Sequence, residues 1–278
     1  YRICYSSGRS ILACDPMDPL ANIAVSAARA AGNICMRHLR QGRGFDVREK
    51  GRNDFVTEVD HQAEVAIIDT IRRAYPDHAI LAEESGHSPT RRQADVEWII
   101  DPIDGTTNFI HGIPHFAVSI ACRVGGQLAH GVIFDPYKDE LFVASRGRGA
   151  MLDGRRIRVS QCHQLGPALL ATGFAYHREA GMAKYFPAFE SLLNKCGDIR
   201  RGGSAALDLA WVAAGRLDGF WEFGLQSWDM AAGVILVIEA GGMATSLGDG
   251  DPLETGEVVS GAPKLQPMLR ATIEHALK

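Results

Sequence analysis

The chain has no C-x-x-C pair, no long apolar run and no excess of positive charge. Six cysteines stand scattered, at Cys4, Cys14, Cys35, Cys122, Cys162 and Cys196. That spacing supports neither a zinc knuckle nor a dithiol redox site. A chain of 278 residues needs no disulfides, so reduced thiols and a cytoplasmic setting are expected. No stretch approaches the ~20 apolar residues of a bilayer span, and no membrane association is expected. The longest candidate, residues 230–240, carries Glu239 and runs into Gly241-Gly242. The net charge of -4 offers no electrostatic footprint for nucleic acid. The pairs Arg91-Arg92, Arg155-Arg156 and Arg200-Arg201 read as solvated surface. Ile11-Leu12-Ala13-Cys14 resembles a lipoprotein cleavage box but lacks the preceding apolar stretch of roughly 7–15 residues. Residues 1–16 are expected to be a poorly ordered extension without catalytic function.

The rest of the composition is ordinary for a protein with a real core, at 46% apolar. Apolar residues at helical spacing predict helices over 20–39 and 57–75, the second stopped by Pro76. Residues 79–82 and 97–100 read as short strands that end in acids, Glu83-Glu84 and Asp101. Residues 116–123, 127–135 and 140–145 predict an antiparallel meander. Beyond Ser160, strands (169–172, 219–222) alternate with helices (184–195, 205–214, 228–240), which suggests an α/β layer. The expected organisation is an α+β part over 17–160 and an α/β part over 161–278, packed as one compact unit without repeats or a linker.

The chemistry points to Asp101-Pro102-Ile103-Asp104-Gly105-Thr106-Thr107. The C-terminal ends of sheet strands are where open α/β sheets place ligands. Pro102 fixes its own φ and pushes Asp101 towards extended backbone, so a rigid turn can aim both carboxylates at one point. Converging carboxylates repel unless a cation lies between them, and hard oxygens select Mg²⁺ or Mn²⁺. Gly105 and Thr106 then open a helical turn whose N–H groups suit a phosphate oxygen. Taken alone, the segment reads as well as a strand end followed by a helix cap. Asp60 and Asp229 alone read as first-turn acids, Lys50 and Glu222 as surface charges, and His111 and His115 as a structural pair.

Motifs in order along nearly the whole chain after Met17 resemble the inositol monophosphatase family. They are Lys50 with Asn53-Asp54-Phe55-Val56-Thr57-Glu58-Val59-Asp60, then Ala82-Glu83-Glu84-Ser85. Next come Trp98-Ile99-Ile100-Asp101-Pro102-Ile103-Asp104-Gly105-Thr106-Thr107-Asn108-Phe109, Trp228-Asp229-Met230-Ala231-Ala232-Gly233 and Glu239-Ala240-Gly241-Gly242. Thr106-Thr107-Asn108-Phe109 is similar to the inositol phosphatase pattern, rather than to the Thr-Lys-Glu-Phe of related nucleotide phosphatases or the Ser-Ser-Asn of fructose-bisphosphatases.

The resemblance implies a layered αβαβα sandwich of the inositol monophosphatase and fructose-bisphosphatase type. It implies lithium-sensitive hydrolysis of an inositol monophosphate by direct attack of a metal-activated water, with two to three Mg²⁺ ions that Mn²⁺ can replace. Glu83, Asp101 and the Ile103 carbonyl would hold one ion, and Asp101, Asp104 and Asp229 a second. Thr106 and Asp60 would orient and deprotonate the water. Gly105 and Thr106 would hold the phosphate, and Gly203, Ser204, Ala205 and Glu222 would contact the ring. Lys50 matches a mobile-loop residue. A homodimer is the family's usual state. Two rivals stay open: another small phosphomonoester (histidinol phosphate, NADP or a sugar phosphate), or the role of the family's bacterial extragenic-suppressor branch. Members of that branch act with transcription or RNA-processing factors through protein contacts.

Overall fold

A computed structural model describes residues 17–41, 47–51, 54–87, 95–174 and 179–278; the side chains of 47–56 and 179–182 lie outside that description. The expectation for residues 1–16 falls outside it as well. The first half runs α1 (Pro19–Gln41), β1 (Val47–Gly51), β2 (Asp54–Thr57), α2 (Glu58–Ala74), β3 (Ala79–Ala82), β4 (Gly86–His87), β5 (Val96–Asp104) and α3 (Thr106–His111). The meander follows as β6 (Ala117–Val124), β7 (Gln127–Asp135), β8 (Glu140–Ser145), β9 (Gly149–Leu152) and β10 (Arg155–Arg156). The second half is β11 (Leu169–Thr172), α4 (Glu179–Leu193), β12 (Asp198–Arg200), α5 (Ala205–Ala213), β13 (Gly219–Phe223), α6 (Ser227–Glu239), β14 (Met243–Thr245), α7 (Pro252–Thr255), β15 (Glu257–Gly261) and α8 (Gln266–Ala276).

Two sheets carry the fold. One has the strand order β10-β9-β8-β7-β6-β5-β3-β4, the other β12-β11-β13-β15-β14. On the outer face of the larger sheet lie α1 and α2. Their Ala27, Ala31, Ile67 and Ile71 pack on Trp98, Ile100 and Val132. Between the sheets lie α5 and α6, packed on Ile99, Ala121 and Ile133 from one side and Phe220 and Val258 from the other. A helix covered on both sides must be apolar nearly all round, which accounts for Met230–Val237 being buried without a break. Outside the smaller sheet, Tyr185 and Leu192 of α4 and Leu269 and Ile273 of α8 close a third core over Leu170, Trp221 and Val259. The layers are therefore αβαβα, and a single middle core joins the two halves.

Close approach of α6 to the larger sheet depends on Gly131. A methyl there would lie 2.5 Å from Ile235 Cγ2 and 2.7 Å from the Ala232 carbonyl. The free cysteines among the described residues are Cys35 and Cys122, both buried, and the half-buried Cys162 and Cys196. Among the described residues no helix is long and apolar enough to cross a membrane.

Candidate active site

The strand expected over 97–100 does not stop at Asp101; it runs on to Asp104. Asp101 pairs with Ser119 and Asp104 with Ala117, so three residue steps on β5 face two on β6. The extra residue is a bulge at Pro102-Ile103, where proline has no N–H to give the ladder. In a regular strand, residues three apart point to opposite faces. The bulge removes that alternation, which is how Asp101 and Asp104 reach the same neighbourhood. It takes the place of the turn expected from the sequence.

Glu83 is set by its N–H, which bonds the Ile100 carbonyl at 3.1 Å and extends the β3–β5 ladder by one step. The N–H of Glu84 bonds the buried Glu64 carboxylate at 2.8 Å. Asp229 stands in the first turn of α6, where its Oδ2 caps the Gln226 N–H at 2.6 Å. Asp104 Oδ2 accepts from the Ser204 hydroxyl and, at 2.7 Å, from the Ala206 N–H. Thus the start of α5 orients Asp104, and the Ser204 hydroxyl serves a carboxylate.

Burial raises the carboxyl of Asp101 far above its ordinary range, and the charges of Glu83, Asp104 and Asp229 push it further. Asp104 is pushed up to about 6 by burial, against the opposing pull of Ser204 and the α5 N–H groups. Acids that repel one another in this way either hold protons or share a cation. Among the described residues, no three acids, histidines or cysteines stand close enough together to hold a metal ion as they are. The donor chemistry still fits a hard divalent ion: the groups acting on Asp101 are carboxylates, with no thiol or imidazole among them.

Beside these acids lies Asp60, fully buried rather than an exposed first-turn residue. Its Oδ2 accepts from the Thr57 N–H at 2.8 Å and from the Thr57 hydroxyl, a reciprocal cap of α2. Its Oδ1 lies 3.2 Å from Thr106 Oγ1. Burial raises its pKa, and the Thr57 hydrogen bonds oppose that rise. Gly105 sits at φ 95° before α3, where a Cβ would come 3.1 Å from the Gly203 carbonyl. Both the conformation and the space there require glycine.

A cavity of about 160 Å³ opens next to Asp104 and Asp229, lined also by Gly203, Ser204, Ala205 and Glu222. Glu222 is 9% exposed, so it is no surface charge. Burial first, then the charge of Asp208, pushes it up to about 8. Sequence reasoning missed the other lining residues, among them Gly173, Phe174, Arg201 and Asp208. Asp208 had a signal: it is the lone acid in the otherwise apolar run of α5. Burial also raises its carboxyl well above the ordinary range. Arg201 was expected as solvated surface, yet its guanidinium lies 4.9 Å over the Phe174 ring at this cavity.

Other candidates lie elsewhere. His111 is exposed, and His115 packs edge-on against Trp211 at 5.1 Å. The backbone of Lys50 belongs to β1, and the β1–β2 register breaks between Glu49 and Gly51. Its side chain is outside the described residues, as are Arg91 and Arg92.

The sequence profile described as "Inositol monophosphatase family" matches residues 16–278. A Pseudomonas aeruginosa protein named Nus factor SuhB is 51% identical over 265 residues, covering 94% of this chain and 98% of the relative. The crystal structure of extragenic suppressor protein SuhB from Bartonella henselae superposes with a TM-score of 0.88 at 40% identity, covering 92% of this chain and 99% of that one. The inositol monophosphatase from Anabaena superposes at 0.83 with 39% identity, covering 92% and 95%.

Proposed function

The chain belongs to the inositol monophosphatase family, and from that premise we propose that it hydrolyses a small phosphate monoester, an inositol monophosphate, by direct transfer to water. The observation that carries the reading is the convergence of Glu83, Asp104 and Asp229 on the buried Asp101, beside a Thr106–Asp60 hydrogen bond. Glu83, Asp101 and the Ile103 carbonyl would hold one Mg²⁺, and Asp101, Asp104 and Asp229 another. When bound, such ions supply charge neutralisation for the phosphoryl oxygens and acidify a ligated water.

The chain's own residues do the rest. Thr106 Oγ1 orients the attacking water, and Asp60 receives the proton through that hydroxyl. A carboxyl raised by burial suits proton acceptance better than an ordinary one. The Gly105 and Thr106 N–H groups hold the phosphate. Glu222, Ala205 and the Gly203 backbone take the alcohol portion, in a cavity too acidic to favour a second phosphate. The test is kcat/KM across inositol 1-phosphate, histidinol phosphate, NADP and a sugar phosphate, each with Mg²⁺. Preference for inositol 1-phosphate is expected; a clear preference for another ester would replace it as substrate.

A second reading is favoured by the 51% identity to a relative named as a Nus factor. In it the same chain contacts transcription or RNA-processing proteins, and catalysis and contact coexist. Complementation by an Asp101→Asn variant in a strain lacking the gene separates the two. Rescue by the inactive variant supports the contact role, and failure to rescue supports catalysis.

A further inference from the structure

Strands β11 and β13 run parallel, with Thr172 opposite Trp221. One step further along, Gly173 and Glu222 come abreast at the cavity wall. A Cβ built on Gly173 would fall 2.2 Å from Cδ and from both carboxyl oxygens of Glu222. No pair of non-bonded heavy atoms tolerates that distance, so the carboxyl lies flat against the Gly173 backbone. Gly173 is not among the glycines with positive φ. Its backbone therefore admits any L-residue, and only space demands glycine there. The neighbours of Glu222 act on it through burial and through the charges of Asp208, Arg201 and Asp104. Its carboxyl is thus aimed by packing against Gly173 and by those charges.

We infer that Gly173 is a specificity-determining residue: its missing side chain fixes where the Glu222 carboxyl meets the hydroxyls of a polyol phosphate. The inference rests on the reading that this cavity takes the alcohol portion of the ester. The clash is with the far end of a side chain and not with backbone, so a methyl at 173 re-aims the carboxyl while the fold absorbs the change. The phosphate end, at Asp101, Asp104 and Thr106, is left as it is. A carboxyl displaced from a substrate hydroxyl leaves that hydroxyl without its buried partner, which corresponds to roughly a ten- to a hundredfold loss.

The experiment compares Gly173→Ala with the wild type on inositol 1-phosphate and on p-nitrophenyl phosphate, whose leaving group offers no hydroxyl to a carboxylate. The variant should lose roughly ten- to a hundredfold in kcat/KM on the polyol ester and stay within about twofold on the aryl ester. In the Gly173→Ala background, Glu222→Asp withdraws the carboxyl by one methylene and should recover part of the loss. Equal treatment of both esters, at an unchanged melting temperature, overturns the inference, as does no recovery in the double variant. If the wild type prefers another alcohol, the inositol reading falls but this one stays readable: Gly173→Ala must then reorder that panel, and an unchanged order overturns it. If no ester is turned over, calorimetric titration with myo-inositol and inorganic phosphate reads the same contrast, with equal affinity for wild type and variant counting against it.

Discussion

The Thr106 hydroxyl lies 3.2 Å from Asp60 Oδ1 and 2.9 Å from the Ile103 carbonyl, so one proton faces two acceptors from different elements. The hydroxyl thereby links the first turn of α2 to the β5 bulge. Thr106→Ala and Asp60→Asn should each lower kcat by about 10²–10⁴. Because the two act as one relay, the double variant should be little worse than either alone. Multiplying losses, read in steady-state kinetics, would separate their roles.

Asp101 is 2% exposed and carries the repulsion of three neighbouring acids. A cation that binds only the native state adds about 2.7 kcal/mol at 100 times its Kd. Mg²⁺ should therefore raise the melting temperature measured against EDTA. Asp101→Asn should lose most of that rise, yet melt no lower than wild type in EDTA. An equal Mg²⁺ response in the variant would remove Asp101 from the cation site.

Stability without divalent ions should depend on pH in a defined sense. Asp104 and Glu222 titrate at about 6 and about 8 in the folded chain, above the ordinary carboxylate range. The native state then binds more protons than the unfolded state between roughly pH 4 and 8. Their contribution is present below about pH 4 and is lost as pH rises through 6 and 8. Urea midpoints in EDTA should fall from about pH 5 to about pH 8.5, and Glu222→Gln should flatten the upper part of that fall. A rising midpoint would contradict the assignment.

Gly131→Ala tests the docking of α6 on the larger sheet. Its methyl would press on Ile235 and the Ala232 carbonyl. Overpacking of this kind costs about 1–3 kcal/mol, to be read as a lower urea midpoint. Because Ala232 lies one turn from Asp229 on α6, the folded variant should also show a lower kcat/KM; an unchanged midpoint would remove Gly131 from the helix–sheet contact.

Periodicity made the long elements legible: α1, α2, α6 and the β6–β8 meander lie within a few residues of their expected bounds. The family motifs named the acids, because each stands in a distinctive local context. What escaped was short or set by distant partners. β9, β14, β15, α7 and α8 went unread; β14 has three residues and gains its pairing only from β15. The β5 bulge was invisible because it depends on register with β6, which no local pattern encodes. Asp60 read alone as an exposed acid, since nothing nearby in sequence reveals that Thr106, 46 positions away, covers it. Gly173 gave no signal at all, because its meaning lies in Glu222, on another strand.

Helix α6 has both ends fastened. At its start Asp229 faces the acids and the Trp228 carbonyl accepts from Ser119. At its end Glu239 grips the N–H groups of Gly147 and Gly149, each at 2.8 Å. Thirteen residues at ~1.5 Å each make a rod of about 20 Å between these anchors. Such a rod behaves as a tie-bar. The β8–β9 turn at Gly147 and the acid-bearing first turn of α6 are thus spaced by one continuous helix, so the separation of the two is set by its thirteen residues.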